Sequence, residues 1–311
     1  MNAIVSTIAP VFGLIFIGYL TMRLRVVSDA AAKGLAEFAF MIAMPALLFR
    51  TMVTAESTSS SPGSILAAFF IADAIVWIVA TLAAIHLIKR TGLEATALAM
   101  ASTFGNTVML GLPLGIAYYG DAATPALALI IAVFSPIRWL IASVQAEWMT
   151  AKGPVDLGGR ARDLLKDLAT NPIVFGVVLG SLWRATDLGL NEVPDRLLSM
   201  LGSAGIPASL FALGASLSRY SIRSDLDAMG LVLVLKLMLF PVAAYILAVH
   251  VFALPPMAAN AVVLLAACPT GANAFLFAQR YDSAVGPVSA SVAAGTVIAA
   301  LTISVLFAVM S

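Results

Sequence analysis

Long uninterrupted apolar runs constrain the fold of this chain more than any motif in it. Ten can be delimited: Ile4–Met22, Leu35–Met52, Ile65–Ile88, Ala95–Tyr119, Thr124–Trp148, Pro172–Leu188, Val193–Leu217, Leu226–Val251, Met257–Gln279 and Ala284–Met310. A helix needs about 20 apolar residues to cross a hydrocarbon core roughly 30 Å thick, and each run is of that order. Membrane barrel strands would alternate apolar and polar residues over about ten positions; these runs are continuous and longer. Apolar residues make up 61% of the chain and charged residues 11%, with a mean hydropathy of +1.03. Soluble domains carry about 25% charged residues, so too little charge remains here to cover a water-facing surface. The expected fold is an all-α membrane protein of ten transmembrane helices, embedded in a lipid bilayer with no soluble domain of ordinary size beside them.

Charge placement then orients the chain. Connections after the first, third, fifth, seventh and ninth runs hold twelve basic residues: Arg23, Arg25, Lys33, Lys89, Arg90, Lys152, Arg160, Arg162, Lys166, Arg219, Arg223 and Arg280. The opposite connections hold three: Arg50, Arg184 and Arg196. Lys and Arg accumulate in cytoplasmic loops, so both termini are expected outside and the odd-numbered connections in the cytoplasm. These basic residues read as topology anchors, not nucleic-acid contacts, and a net charge of +1 implies no acidic or basic partner. No Lys or Arg precedes the first run and no cleavage site follows it, so that run is expected to stay as a helix. The single cysteine, Cys268, leaves no intrachain disulfide or cysteine-built metal site. The longest connection, Thr150 to Asn171, carries Gly153, Pro154, Gly158 and Gly159 and reads as a linker.

The two halves flanking that linker are copies. At an offset of 162, Pro10 falls on Pro172, Pro45 on Pro207 and Pro125 on Pro287, and Gly18 meets Gly180. The string MPALLF (Met44–Phe49) meets IPASLF (Ile206–Phe211). We therefore expect a first repeat at 1–149, a cytoplasmic linker at 150–171 and a second repeat at 172–311. Five helices per repeat is an odd number, so the second copy enters the membrane inverted. Inverted repeats of this kind build many secondary transporters, which bind substrate near the midplane between interrupted helices.

The same offset aligns two interruptions. The fourth run contains FGNTVMLGLPLG, Phe104 to Gly115, and the ninth contains CPTGANAF, Cys268 to Phe275. Gly111, Pro113, Pro269 and Gly271 are the expected helix breaks, because proline removes a backbone donor and glycine tolerates non-helical dihedrals. Unwound backbone is tolerable in a bilayer only where it is buried or lines a wet cavity. Half-helix amino ends carry partial positive charge and unsatisfied N–H groups that favour an anion. Asn106, Thr107, Thr270 and Asn273 add side-chain donors and acceptors there. The alternative is two kinks satisfied by their own side chains with no ligand. Pro45 and Pro207 lack adjacent amides and read as packing kinks.

The strings NTVMLGLPLG and PTGANAFLFAQRYDSAVG resemble the two crossover regions of the auxin efflux carrier family, which includes bacterial malonate-type permeases and is related to the plant PIN carriers. The resemblance covers the whole chain. It implies a fold like that of bile-acid/sodium symporters and sodium/proton antiporters, with scaffold helices 1, 2, 6 and 7 and crossover helices 3–5 and 8–10. It also implies transport of small organic anions, with homodimer contacts through the scaffold. An Asn at each crossover helps hold the substrate carboxylate in PIN carriers, and Asn106 and Asn273 match, although Asn273 sits opposite Gly111 in the repeat alignment. The long cytoplasmic loop of many plant members is missing.

Charges inside the apolar runs are costly, and they tend to be paired or functional. Asp73 lies about 13 Å of helical rise into the third run and is the preferred carrier of a coupling proton or sodium; the other reading is a static ion pair. The resemblance implies Arg50 as its partner, and Lys236 is a second candidate. Arg138 is the charge expected to attract an anion, or else to anchor its helix among inner headgroups. Gln145 reads as interfacial. No phosphate loop of the GxxxxGK[ST] type, HExxH zinc motif or GxSxG elbow occurs, so no cofactor and no enzyme activity are expected. The functional expectation is a secondary transporter of a small organic anion, a carboxylate by preference. An ion or anion channel is the alternative, with an intramembrane enzyme behind it.

Overall fold

A computed structural model describes residues 2–54, 61–150, 157–221 and 225–310. Lys152, Gly153, Pro154 and Arg223, used above as linker and topology markers, lie outside the described residues. The chain runs through helices α1 (Asn2–Arg23), α2 (Asp29–Thr54), α3 (Pro62–His86), α4 (Gly92–Thr103), α5 (Thr107–Tyr119) and α6 (Thr124–Thr150). It continues through α7 (Leu157–Thr170), α8 (Pro172–Arg184), α9 (Glu192–Leu217), α10 (Leu226–Val251), α11 (Pro256–Ala267), α12 (Ala272–Arg280) and α13 (Val285–Met310). The described residues contain no strand beyond one isolated antiparallel bridge, Gly105 to Thr270.

Among the described residues seven stretches, in α1, α2, α3, α6, α9, α10 and α13, are long and apolar enough to cross a membrane. The chain is thus a multi-pass membrane protein. Within the connection read above as a linker, Leu157–Thr170 forms helix α7, which meets α8 at a 67° bend before Pro172.

Of the four widened π turns among the described residues, one ends α10 (Ile246–Val251) and three lie ahead of prolines: Ala39–Ala43 in α2, Thr107–Gly111 opening α5 and Leu235–Leu239 in α10. Each of these three closes two residues before its proline, namely Pro45, Pro113 and Pro241. The physical cause is shared. Proline offers no N–H and its ring crowds the carbonyl one turn back, and a wider turn makes room for it. Gly111 and Pro113 therefore sit in helical backbone. The break in the fourth run falls earlier, at Phe104–Asn106, between α4 and α5.

Two compact units divide the chain. The first comprises Met1–Ser59, Val108–Ala132 and Leu168–Arg219. Inside it α1 packs on α9, and α2 packs on α8 and α9. Glycine permits this closeness. A β-carbon on Gly214 would collide with the carbonyl oxygen of Ile15, and one on Gly18 with that of Phe211. On α8, Gly176 and Gly180 form a GxxxG pair. A β-carbon there would come within 2.6 Å of the Pro45 and Phe49 carbonyl oxygens respectively. Near the end of α2, Arg50 Nε and Nη2 donate to the two carboxylate oxygens of Asp195 at 2.7 and 3.2 Å.

The second unit comprises Ser60–Thr107, Val133–Asp167 and Tyr220–Ser311. Its centre is α4 and α11. Every residue from Ala95 to Thr103 is buried, as are Ala258, Ala259 and Ala261–Ala267. A helix hydrophobic all round is a buried helix, and the run of alanines lets its neighbours approach closely. α3, α10, α12 and α13 pack around these two. Phe69, Phe104, Phe134 and Phe240 form one aromatic cluster, with ring centroids of successive pairs 5.2–5.5 Å apart. Thr91 starts α4 with a reciprocal capping box to Glu94, as the T-x-x-E spacing dictates. Asp225 caps α10 and pairs with Arg90. The N–H of Ala228 and then the Arg90 guanidinium hold its carboxyl below the usual 3.8.

Candidate functional site

α4 cannot continue past Thr103 because Phe104 turns extended, at φ −74° and ψ 97°. α11 ends likewise at Cys268, with φ −58° and ψ 137°. The two extended pieces then satisfy each other. Asn106 N–H donates to Pro269 O at 2.8 Å, and Gly271 N–H donates to Phe104 O at 2.8 Å. Gly271 is needed for close approach, since a β-carbon there would lie 3.0 Å from Gly105 O. Backbone polar groups released by the breaks are thereby paired inside an apolar unit, where an orphan group would be expensive.

Two helix carboxyl ends and two amino ends meet at this crossing. Thr270 Oγ1 donates to Ala101 O of α4 at 2.9 Å, and Lys236 Nζ donates to Ala266 O of α11 at 2.8 Å. On the amino side, α12 begins at Ala272 with Gly271 as its N-cap and no side-chain cap. Its first N–H groups have no partner within the helix. Asn106 and Thr107, at 7% and 5% exposure, are buried at the crossing, and Asn273 is half-buried in the first turn of α12. Asn106, Thr107, Pro269, Thr270, Gly271, Asn273 and Lys236 therefore belong to one cluster within the second unit.

The charged residues pair differently from the resemblance. Asp73 pairs with Arg138, not with Arg50, and both side chains are buried, at 1% and 2% exposure. Arg50 is committed to Asp195. The pair Asp73–Arg138 joins α3 to α6, and the guanidinium lies 4.5 Å from the Trp77 ring centroid. Trp77 Nε1 donates to Gln145 Oε1 at 2.7 Å. Gln145 Nε2 reaches Thr96 Oγ1 at 3.1 Å and Thr81 Oγ1 at 3.3 Å. Arg138 is thus held by a carboxylate and an aromatic face, with its charge compensated. Gln145, read from sequence as interfacial, ties α6 to α3 and α4. The signal for this network was helical spacing: Asp73 and Trp77 are four apart, and Arg138 and Gln145 are seven apart, so each pair lies on one helix face.

A family model described as membrane transport protein matches residues 3–151 and 161–307. The chain is 27% identical to a putative malonate transporter of Rhizobium meliloti (strain 1021), over 98% of this chain and 95% of the relative. It is 25% identical to auxin efflux carrier component 8 of Arabidopsis thaliana, over 95% and 94% respectively. An uncharacterized transporter of Methanocaldococcus jannaschii shares 23% identity over 94% of each chain.

Proposed function

The chain belongs to the family of membrane transport proteins that includes the auxin efflux carriers, and from that premise we propose that it is a secondary active transporter of a small organic anion, a carboxylate by preference. The family is one of transporters rather than enzymes. The observation that carries this reading is the crossing itself: two extended segments, paired backbone to backbone, bring Asn106 and Asn273 beside the uncapped start of α12. Amides and orphan N–H groups are donors, and a carboxylate is the ligand that accepts from them. The name of the malonate-type relative points to the same class of cargo.

We place the anion between Asn106, Thr107, Thr270 and Asn273, at the meeting of two inverted five-helix repeats. Alternating access moves the crossover helices against a scaffold that includes α1, α2, α8 and α9 and offers a surface for a homodimer. Positive loop charge orients both termini outside the cytoplasm of a bacterial inner membrane. Coupling falls to a proton carried at Asp73, held against Arg138, or to a co-transported cation.

Purified protein in proteoliposomes is expected to take up labelled malonate or another short carboxylate in a saturable manner, at about 1–1000 turnovers per second, an ordinary range for a catalysed cycle. Uptake should be followed across imposed proton and sodium gradients. Non-saturating current far above that rate would favour a channel. No uptake of any mono- or dicarboxylate across the panel would end the carboxylate reading.

A further inference from the structure

The crossing contains a buried lysine that the transport reading leaves without a role. Lys236 sits in the π turn of α10 and is 1% exposed. Its Nζ donates to Ala266 O at 2.8 Å, one residue before α11 ends, and lies 4.3 Å from the centroid of the Phe240 ring. A β-carbon on Gly105, the residue before Asn106, would come within 3.1 Å of the same Nζ. No carboxylate pairs with Lys236 among the described residues, whereas Arg138 is compensated by Asp73.

A buried unpaired ammonium is costly. The helix carboxyl end supplies roughly half an opposing charge, and the ring face adds a smaller attraction. When the amine is protonated, part of its charge remains uncompensated next to Gly105, the residue before Asn106. The opposite carboxyl end, at Ala101, is satisfied by the neutral hydroxyl of Thr270, so the charge is placed on one side of the crossing only.

We propose that Lys236 is a tethered cation of the substrate site, protonated when the anion is bound beside it. It completes its own compensation with the anionic cargo, selects a second negative charge on that cargo, and replaces a co-transported metal cation. This inference rests on the transporter reading and deepens it. The side chain is tethered, so the counter-charge does not leave with the substrate. The π turn contributes by setting the height of Nζ against Ala266, because the turn repositions the residues that precede Pro241.

Two measurements on reconstituted full-length protein test this. In the first, wild-type uptake of labelled malonate is compared in sodium and in N-methylglucamine media; the expected rates are equal. In the second, malonate and malonamate compete against labelled substrate, in wild type and in Lys236→Met. The two competitors are near-isosteric and differ by one charge. Two unit charges a few ångströms apart across a partly buried site give about a tenfold difference or more. Lys236→Met is expected to shrink the malonate-over-malonamate preference by about that factor. An unchanged preference in a folded variant, or wild-type uptake that collapses without sodium, overturns the proposal. The sodium comparison needs no variant, so it decides even if Lys236→Met does not fold. Wild type that takes up no carboxylate defeats the transporter reading instead, and the two failures are distinguishable.

Discussion

Arg138→Met alone is expected to destabilise the folded protein by about 3–5 kcal/mol, the usual cost of stranding one member of a buried ion pair. Asp73 is 0% exposed and its carboxylate faces Arg138. Removing the guanidinium leaves that carboxylate among apolar side chains of α3 and α6, and also withdraws the cation from Trp77. Asp73→Leu alone should be comparably harmful, since it leaves the guanidinium with the ring and no counter-charge. The double substitution Asp73→Leu/Arg138→Met removes both charges together. Replacing a buried pair by apolar groups of similar size is often neutral or stabilising, so the double variant should recover most of the loss. Thermal unfolding of the purified protein in detergent, read by tryptophan fluorescence, measures all three. Near-equal melting of the single and double variants would show that the pair does not hold α3 to α6.

The second large effect lies in the first unit. Gly214→Leu is expected to destabilise it by about 3 kcal/mol or more, because overpacking that meets rigid backbone has no cheap relief. The group in the way is the Ile15 carbonyl of α1, and Gly18 faces the Phe211 carbonyl in return. α1 and α9 approach to backbone contact at this point, and a side chain can enter only by driving them apart. Gly13→Ala on the same helix α1 is the control. Nothing lies within 4 Å of where its β-carbon would go, so the change should be neutral or stabilise by up to about 1 kcal/mol through helix propensity. Size-exclusion profiles and melting temperatures in detergent check both. Two indistinguishable variants would contradict the close α1–α9 packing.

The apolar runs were legible because a bilayer demands continuity of hydrophobic residues, and seven of the stretches long enough to span can be read directly from them. The location of the break in the fourth run was less legible. Pro113 and Gly111 draw attention, yet a π turn at Thr107–Gly111 absorbs the proline and the chain unwinds at Phe104–Asn106 instead. Nothing local in Phe104 announces this. Its extended backbone is stabilised by Gly271, 167 positions away in sequence, through a hydrogen bond that composition cannot show. Ion pairing was illegible for a related reason. Both Asp73 and Arg50 had opposite charges available on several helices, and partners are chosen by packing. Asp195, in the first turn of α9, took Arg50. The clue to Asp73–Arg138 was the companion spacing of Trp77 and Gln145 on the same helix faces.

The crossing is where fold and function meet, and the transport proposal makes Asn106 and Asn273 its carboxylate-binding amides. Each charged hydrogen bond removed costs about 1.5–3 kcal/mol, or roughly 10- to 150-fold in affinity. Half-saturation of labelled malonate uptake in proteoliposomes is therefore the deciding measurement, made on wild type and on Asn106→Ala/Asn273→Ala with matched amounts of folded protein. The expected result is saturable uptake by wild type and a half-saturation concentration raised at least about tenfold, or uptake lost, in the double variant. A double variant that transports with wild-type affinity and rate would contradict the placement of the substrate at the crossing.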